Sequence, residues 1–354
     1  MADEIYYRLR EKIDGYSFGM AATKSGVEIR LLKKLFTEEE AEMYLNLTED
    51  LQTAEEIANK INRDPKEVEA LLRRMTEKGH TFPRFPQKEG EPFYVAAAPY
   101  VHGLIEHQLH RTDKELVDLI NEHGREGNFS KPFNGLRIVP VQASVDKTLQ
   151  ISNYDDVEAI IRKKERIAVA DCVCNDIGRV GGLACDQPRE VCFMFDFYAQ
   201  YYVDKGVGRW VTAEEALERL KECAQAGLVP QFSSTENPEA LCNCCPDCCA
   251  GLGMLKQQPN PGLMAQSNHF AAIKEELCSG CEICIDRCPM DAISMGDLAA
   301  QINRDKCIGC GLCVITCPEE ALSLKAKPEE QRFTPPEKGV FMRSSKEMES
   351  RIKS

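Results

Sequence analysis

The chain has 354 residues, 43% of them apolar, and 44 basic against 57 acidic side chains give a net charge of −13. This length allows two or three domains with buried cores. The acidic balance argues against a general nucleic-acid binder, because phosphate recognition needs a basic surface. No apolar stretch approaches the roughly 18 residues of a membrane span, and the first residues lack a secretory pattern. We therefore expect a cytoplasmic protein without a membrane span.

The first 100 residues carry clear helix-start signals. Capping boxes begin at Thr37 and Thr53, and Pro65 suits a first helical position. These signals predict helices over Ala41–Leu47, Ala54–Ile61 and Pro65–Lys78. Two β-rich runs follow around a polar turn, Thr81–Phe85 and Pro92–Ala97. Three helices and a hairpin over about residues 27–100 resemble a winged helix-turn-helix.

The charge of this region decides between two roles for such a module. Residues 28–80 carry nine basic and thirteen acidic side chains, and the helix that would enter a DNA groove, Pro65–Lys78, is close to neutral. We therefore favour a module that docks a partner protein, and we expect no nucleic acid. A redox-sensing transcription regulator that uses the winged helix is the alternative.

The middle of the chain predicts mixed helix and strand. Residues 101–130 appear helical and polar, with His107 and His110 as surface histidines. A helix is expected over Asp155–Lys164, and a short strand, Ile167–Ala170, leads to the first cysteines. A helix from Thr212 to about Ala226 contains Cys223, which we interpret as a small buried apolar residue.

All 18 cysteines lie between Cys172 and Cys317. The expected compartment is reducing, and adjacent pairs such as Cys244 and Cys245 strain a disulfide. Thiolate ligation of metal or iron–sulfur clusters therefore explains these cysteines better than disulfides do.

The carboxy-terminal cysteines form an internal duplication. The spacing C-x2-C-x2-C-x3-C-P begins at Cys278 and recurs 29 residues later at Cys307. It resembles the bacterial two-cluster [4Fe–4S] ferredoxin over about residues 270–326, in which the fourth cysteine of each motif serves the other cluster. The resemblance implies one cluster on Cys278, Cys281, Cys284 and Cys317, and another on Cys307, Cys310, Cys313 and Cys288. Strands are expected at Ala292–Met295 and Ala321–Leu324, paired with each other.

The central cysteines are less regular. We hypothesise one [4Fe–4S] cluster on Cys172, Cys174, Cys185 and Cys192, and a second on Cys242, Cys245, Cys248 and Cys249, with Cys244 as the alternative ligand. Ligands exchanged between the groups stay open, and zinc is the alternative metal, since C-x2-C spacing serves both. The glycine-rich segment Ile177–Leu183 is interpreted as a loop that wraps a cluster.

Together these features predict an α+β protein with four parts: a winged-helix-like module (1–100), a central cysteine-rich α+β domain (101–265), a two-cluster ferredoxin fold (266–326) and a charged, solvated tail (327–354). The order of motifs is similar to large 4Fe–4S ferredoxin-type proteins of anaerobic bacteria and archaea. That resemblance implies electron transfer in the cytoplasm of an anaerobe. Our first hypothesis is an electron-transfer protein or subunit of a larger complex that passes low-potential electrons to a partner oxidoreductase and has no catalytic residues of its own. An enzyme with an open iron at a central cluster is a further alternative. Nine acidic and six basic side chains over residues 274–327 predict a partner with a basic docking patch.

Overall fold

The computed structural model describes residues 3–127, 129–131, 134–145, 151–183, 185–339 and 342–350. Helices and antiparallel strands are mixed along this part of the chain, as the predicted α+β class requires. Its largest sheet has six strands, and two small sheets lie in the carboxy-terminal third.

The amino-terminal elements follow the helix-start signals closely. The helices are α1 (Glu4–Asp14), α2 (Val27–Leu35), α3 (Glu38–Tyr44), α4 (Ala54–Ile61) and α5 (Pro65–Glu77), and the strands are β1 (Gln52–Thr53), β2 (Thr81–Arg84) and β3 (Tyr94–Ala97). Both capping boxes form, with the threonine side chain accepting from the third helical N–H. The strands pair antiparallel in the order β1-β3-β2. The winged-helix interpretation stays a prediction.

The segment after β3 differs from the polar helix that we expected. Its α-helix, α6, is confined to Lys114–Glu126. His107 is only 3% exposed, and its Nδ1 lies 2.8 Å from the Gly79 carbonyl oxygen. The prediction of two surface histidines is therefore wrong for His107, whereas His110 is exposed and faces Asp171 at 3.6 Å. Aromatic side chains from distant parts of the chain pack against His107. The local sequence pattern does not predict this burial.

The central region is built on one antiparallel sheet. Its strands are β4 (Leu136–Ile138), β5 (Ile167–Asp171), β6 (Glu190–Phe195), β7 (Gly208–Trp210), β8 (Val229–Ser233) and β9 (Ala240–Cys244), in the order β4-β8-β9-β6-β5-β7. Its helices are α7 (Val157–Lys163), α8 (Val173–Val180), α9 (Asp196–Asp204), α10 (Ala213–Ala226), α11 (Ala250–Lys256) and α12 (Pro261–Met264).

The two faces of this sheet have different chemistry, because side chains alternate along a strand. On β6, Phe193 and Phe195 pack with α7 and α10 in an apolar core. Cys192 and Met194 face the opposite way. On β9, Cys242 and Cys244 share that second face, and Cys242 stands directly opposite Cys192 in the register. The cysteines therefore gather on one side of the sheet.

The carboxy-terminal elements repeat, as the motif does. They are β10 (His269–Ile273), α13 (Ile283–Asp286), β11 (Ile293–Met295), β12 (Ala300–Ile302), α14 (Leu312–Ile315) and β13 (Leu322–Ala326). Left-handed backbone recurs at matching positions of the two copies, at 280 and 309, 282 and 311, and 291 and 320. The strands after the two motifs exist but do not pair with each other, because β11 pairs with β12 and β13 pairs with β10.

The segment after residue 326 is packed on the body of the protein at Met342, Ser345 and Met348, which are buried, whereas most described residues from 328 to 338 are exposed. Helix α15 (Ser345–Glu349) starts with Ser345, whose backbone N–H donates to the Glu239 carboxylate at 2.8 Å. Arg343 forms an ion pair with Asp50 at 2.9 Å. The tail thus joins the amino-terminal and central regions, which differs from the solvated tail that its composition predicts.

Candidate metal centres

The repeat cysteines line two separate small cavities of about 20 Å³ each. One cavity is lined by Cys278, Cys281, Cys284 and Cys317; the other is lined by Cys307, Cys310, Cys313 and Cys288. The structure therefore brings the cysteines together in the two sets that the resemblance implies, with the last cysteine of each motif exchanged. We call the first of these, which contains Cys281, the outer ferredoxin site, and the second, which contains Cys310, the inner ferredoxin site.

Backbone geometry fits a thiolate centre at the inner site. The N–H of Ala271 donates to the Cys307 sulfur at 3.3 Å, and the N–H of Ala292 donates to the Cys288 sulfur at 3.3 Å. Gly309 has a φ of +70°, and a Cβ there would stand 2.1 Å from the His269 carbonyl oxygen. Only glycine allows this close approach of the two backbones. N–H groups aimed at sulfur stabilise negative charge on the sulfur.

The two ferredoxin sites differ in exposure. At the outer site Cys281 is exposed, and the flanking side chains Leu277 and Ile283 are each 45% exposed. At the inner site Cys307, Cys310 and Cys313 are all buried. The outer site therefore faces solvent, whereas the inner site faces protein.

The inner site lies against the central region. The Val141 N–H donates to the Cys310 carbonyl oxygen at 2.9 Å. Cys310, Cys244 and Cys249 belong to one apolar cluster. Arg287 donates to the carbonyl oxygens of Ala224 and Gln225, across the same boundary. These contacts place ferredoxin-type and central cysteines in one continuous core.

Six central cysteines form a ring in which each sulfur interacts with two neighbours. In order, the ring is Cys172, Cys174, Cys249, Cys244, Cys242 and Cys192. They come from the end of β5, from β6 and β9, and from the starts of α8 and α11. We call this group the six-cysteine ring.

The thiols of the ring perturb one another's pKa values. The pKa of Cys242 is lowered to about 5 because Cys192 and Cys244 hydrogen-bond to its sulfur. The pKa of Cys244 is raised well above its usual value by Cys242 and Cys249. Thiolates this close repel one another, so a cationic centre is the way to hold all of them deprotonated. The Leu252 N–H adds a donor to the Cys249 sulfur at 3.4 Å.

A second central group is much more compact. The sulfur of Cys185 lies 3.8 Å from that of Cys245 and 4.0 Å from that of Cys248, and the last two are 3.2 Å apart. Among the described residues it is the one group of three or more potential ligands whose donor atoms all lie within 4.8 Å of one another. Thiolates bound at 2.3 Å to one tetrahedral zinc ion stand about 3.8 Å apart. The two distances from the Cys185 sulfur are close to this value, and the distance between the Cys245 and Cys248 sulfurs is shorter, at 3.2 Å. We call this group the compact thiol site.

The geometry thus divides the central cysteines differently from the grouping predicted by spacing. Cys185 lies with Cys245 and Cys248, not with Cys172, Cys174 and Cys192. Cys242 belongs to the ring and not to the group of Cys245 and Cys248, with which its spacing had placed it. The reason is the β-sheet: the register of β6 and β9 unites cysteines that are 50 residues apart in sequence. Local spacing carries no such information.

Two other expectations for this region have different outcomes. Cys223 is buried on α10, as predicted, and its burial raises its pKa to about 12. The glycine-rich segment from Ile177 is not a loop at its start, because α8 continues to Val180. Gly178 in this helix lies in contact distance of Cys248, since a Cβ there would stand 3.1 Å from the Cys248 Cβ.

A cavity of about 450 Å³ lies beside the six-cysteine ring. All six ring cysteines line it, together with α6, α8 and α11. At its buried end, the Tyr202 hydroxyl lies 3.2 Å from His102 Nε2. Sequence reasoning did not single out either residue. Their only sequence signal is weak: a polar ring in an otherwise apolar or aromatic stretch.

Comparison with known families gives a match for the carboxy-terminal part. A family model described as a 4Fe-4S dicluster domain matches residues 271–318, which include all eight cysteines of the repeat. This match supports [4Fe–4S] cofactors and iron–sulfur electron transfer there. The chain matches no curated protein and no solved structure. Within the part of the chain that the structure describes, every helix is too short or too polar to cross a membrane.

Proposed function

We propose that this protein carries electrons from its outer ferredoxin site, through the inner site, to a third iron–sulfur centre held by the six-cysteine ring. The observation that carries the proposal is the shared apolar cluster of Cys310, Cys244 and Cys249, which joins inner site and ring. Clusters at the two ferredoxin sites would supply one-electron chemistry, and the protein fixes their spacing and shields the inner site from water.

The different exposure of the two ferredoxin sites indicates where electrons pass between this protein and a partner. A partner can approach the outer site, where Cys281 is exposed, but protein covers the inner site. Electrons would therefore enter or leave at the outer site. The acidic balance around it favours a partner with a basic docking patch. A cytoplasmic location and membership of a larger oxidoreductase complex fit this role.

The compact thiol site is proposed to hold one tetrahedral metal ion, with zinc as the metal that prefers this donor set. Cys172 is a candidate for the fourth ligand, because it packs against the apolar cluster that contains Cys185 and Cys245. The other five ring cysteines would then still offer the four ligands of a cubane. Such an ion would fix the loops around Cys185 and Cys245 and would not carry electrons.

The amino-terminal region is proposed to dock protein, not DNA. On the helix that would read DNA, Arg73 pairs with Glu69 at 2.7 Å and Arg74 pairs with Glu39 at 3.8 Å. At its end, Lys78 pairs with Glu40 at 2.7 Å. Cations already paired with carboxylates contribute little to phosphate binding, so no specific observation favours the regulator.

The decisive experiment is metal analysis of the full chain purified without oxygen. Three cubanes and one structural ion predict about 12 iron, about 12 acid-labile sulfide and about one zinc per chain. About 16 iron without zinc would assign a cluster to the compact thiol site as well. About 8 iron would leave the ring without a cluster and would contradict the proposed path. Cys223→Ser is the control, because Cys223 packs in the same apolar cluster as Cys185 and Cys245 but is not one of the three sulfurs of the compact thiol site.

A further inference from the structure

The cavity beside the six-cysteine ring is far larger than a cluster needs. The two ferredoxin sites allow a comparison within the same chain, because the cavity at each of them measures only about 20 Å³. The ring cavity measures about 450 Å³. A single cubane at the ring would therefore leave most of this space open. Small-molecule pockets in proteins typically measure about 300–1,000 Å³.

The cavity has an open end and a closed end. Asn121, Arg125 and Gln257 are exposed at one end. His102, Tyr202 and Ala240 are buried at the other. A ligand can therefore enter from solvent and reach the ring.

The lining defines the chemistry of the occupant. Most of its walls are apolar, with Ile105, Leu109, Phe129, Met194 and Met254 among them. Its charged side chains are a single arginine, Arg125, and three carboxylates. One cation against three carboxylates disfavours nucleotides and other polyanions, which need clustered cations.

A polar pair marks the buried end. The Tyr202 hydroxyl and His102 Nε2 lie 3.2 Å apart, and their rings are stacked with an interplanar angle of 15°. A tyrosine hydroxyl that accepts from an Nε2–H keeps its own O–H donor, and one that donates to Nε2 keeps its acceptor lone pairs. Either way the Tyr202 hydroxyl can meet one polar atom of a ligand inside an otherwise apolar space, and in the first case that atom can be a carbonyl oxygen.

We propose that this cavity binds an uncharged, mainly apolar small molecule that carries a hydrogen-bonding group such as a carbonyl, between the six-cysteine ring and the His102–Tyr202 pair. The proposal goes beyond the proposed function, since binding here requires no electron transfer. It adds a small-molecule site to a chain whose cysteines alone would serve only to carry electrons.

The test uses prodan, an uncharged aromatic ketone, with the full chain purified without oxygen and with its clusters in place. Equilibrium dialysis counts bound prodan directly, so cluster absorption does not interfere. We expect one saturable site per chain. Metal content and the spectrum of the reduced clusters are measured on the same samples, so a loss of clusters is seen separately from a loss of binding.

Two pairs of variants locate the site. Gly124 lines the open end of the cavity, and a Cβ at this position meets nothing within 4 Å. Gly124→Trp should obstruct entry and weaken binding by about tenfold or more, whereas Gly124→Ala should bind as the unaltered chain does. The second pair is Tyr202→Phe and Tyr201→Phe. Both tyrosines are buried, at 4% and 2% exposed, but only Tyr202 lines the cavity.

Loss of one neutral hydrogen bond predicts about fivefold weaker binding for Tyr202→Phe and unchanged binding for Tyr201→Phe. The proposal is overturned if prodan shows no saturable site, if both Tyr→Phe variants weaken binding equally, or if Gly124→Trp binds normally. Iron well above about 12 per chain, with about one zinc retained and no prodan binding, would mean that a larger cluster fills the cavity, which also overturns the proposal.

Discussion

The carboxy-terminal and the central cysteines show two ways to build a thiolate site. At the carboxy terminus three cysteines of one motif line each cavity, and only the fourth cysteine comes from the other copy. In the central region, ring cysteines come from β5, β6, β9 and the starts of two helices. The first kind fits closely around its cavity of about 20 Å³, whereas the second borders a cavity of about 450 Å³. A site built from local loops leaves little space around its cysteines, whereas the site built across a sheet borders a cavity large enough for a small molecule.

The largest expected effect tests the exchanged fourth ligand. Cys288 belongs by sequence to the first motif but lies at the inner site, and the variant that tests this is Cys288→Ser. We expect it to lose up to about four iron from the inner site and to spare the spectrum of the outer cluster. Electron paramagnetic resonance of the reduced protein separates the two. Loss of the outer signal with the inner one retained would contradict the exchange. Cys223→Ser is the control.

The next effect separates the two central groups. Cys245→Ser should remove about one zinc and leave iron unchanged, because Cys245 lies in the compact thiol site. Cys242→Ser should lower iron and leave zinc unchanged, because Cys242 lies in the ring. Mass-spectrometric metal analysis reads both. Equal loss of iron in the two variants would show that Cys242 and Cys245 bind the same iron–sulfur cluster, as their spacing in the sequence predicts.

A smaller effect tests how closely the backbone encloses the inner site. Gly309→Ala places a Cβ against the His269 carbonyl oxygen, in addition to the strain of a left-handed φ. We expect a loss of about 3 kcal/mol of stability, since steric overlap adds about 1–3 kcal/mol to the backbone strain.

The matched control for this variant is Gly90→Ala, which has a φ of +83° but meets nothing within 4 Å. It should lose only about 1 kcal/mol, the strain of the left-handed backbone. Melting temperatures of the anaerobic proteins measure the difference. Equal melting temperatures of the two variants would show that the backbone at Gly309 has room to move.

The last effect concerns the contact between the central region and the cysteine-free amino-terminal part of the chain. Burial lowers the pKa of Lys205 from 10.5 to about 7, and its ammonium donates to the His107 carbonyl oxygen at 3.2 Å. Between these pH values the unfolded chain binds a proton that the folded chain does not. Stability should therefore rise with pH from about 7 to 10.5, by at most about 1.4 kcal/mol per pH unit from this group.

Lys205→Met should flatten that rise, because it removes the titrating group. Denaturant unfolding at several pH values measures the slope. Lys221→Met is the control, because the Lys221 side chain is 65% exposed. A slope that is the same in all three proteins would assign the pH dependence to other groups.

The sequence by itself determined the parts of this protein that depend on near neighbours. Capping boxes at Thr37 and Thr53 predicted two helix starts. The repeated spacing from Cys278 and Cys307 indicated a 4Fe-4S dicluster domain, and its resemblance to two-cluster ferredoxins implied the two cysteine sets. These features follow from contacts within a few residues, or from a motif whose geometry is local. Secondary structure near Pro65 and Thr212 was predictable for the same reason.

Only the tertiary structure decided the central sites. Cys192 and Cys242 meet because β6 and β9 pair in one register, and a shift of one residue would turn them to the other face. The burial of His107 and the meeting of His102 with Tyr202 likewise depend on packing between segments about 100 residues apart. Spacing records which residues are near along the chain, whereas strand pairing and burial bring together residues that are far apart in it.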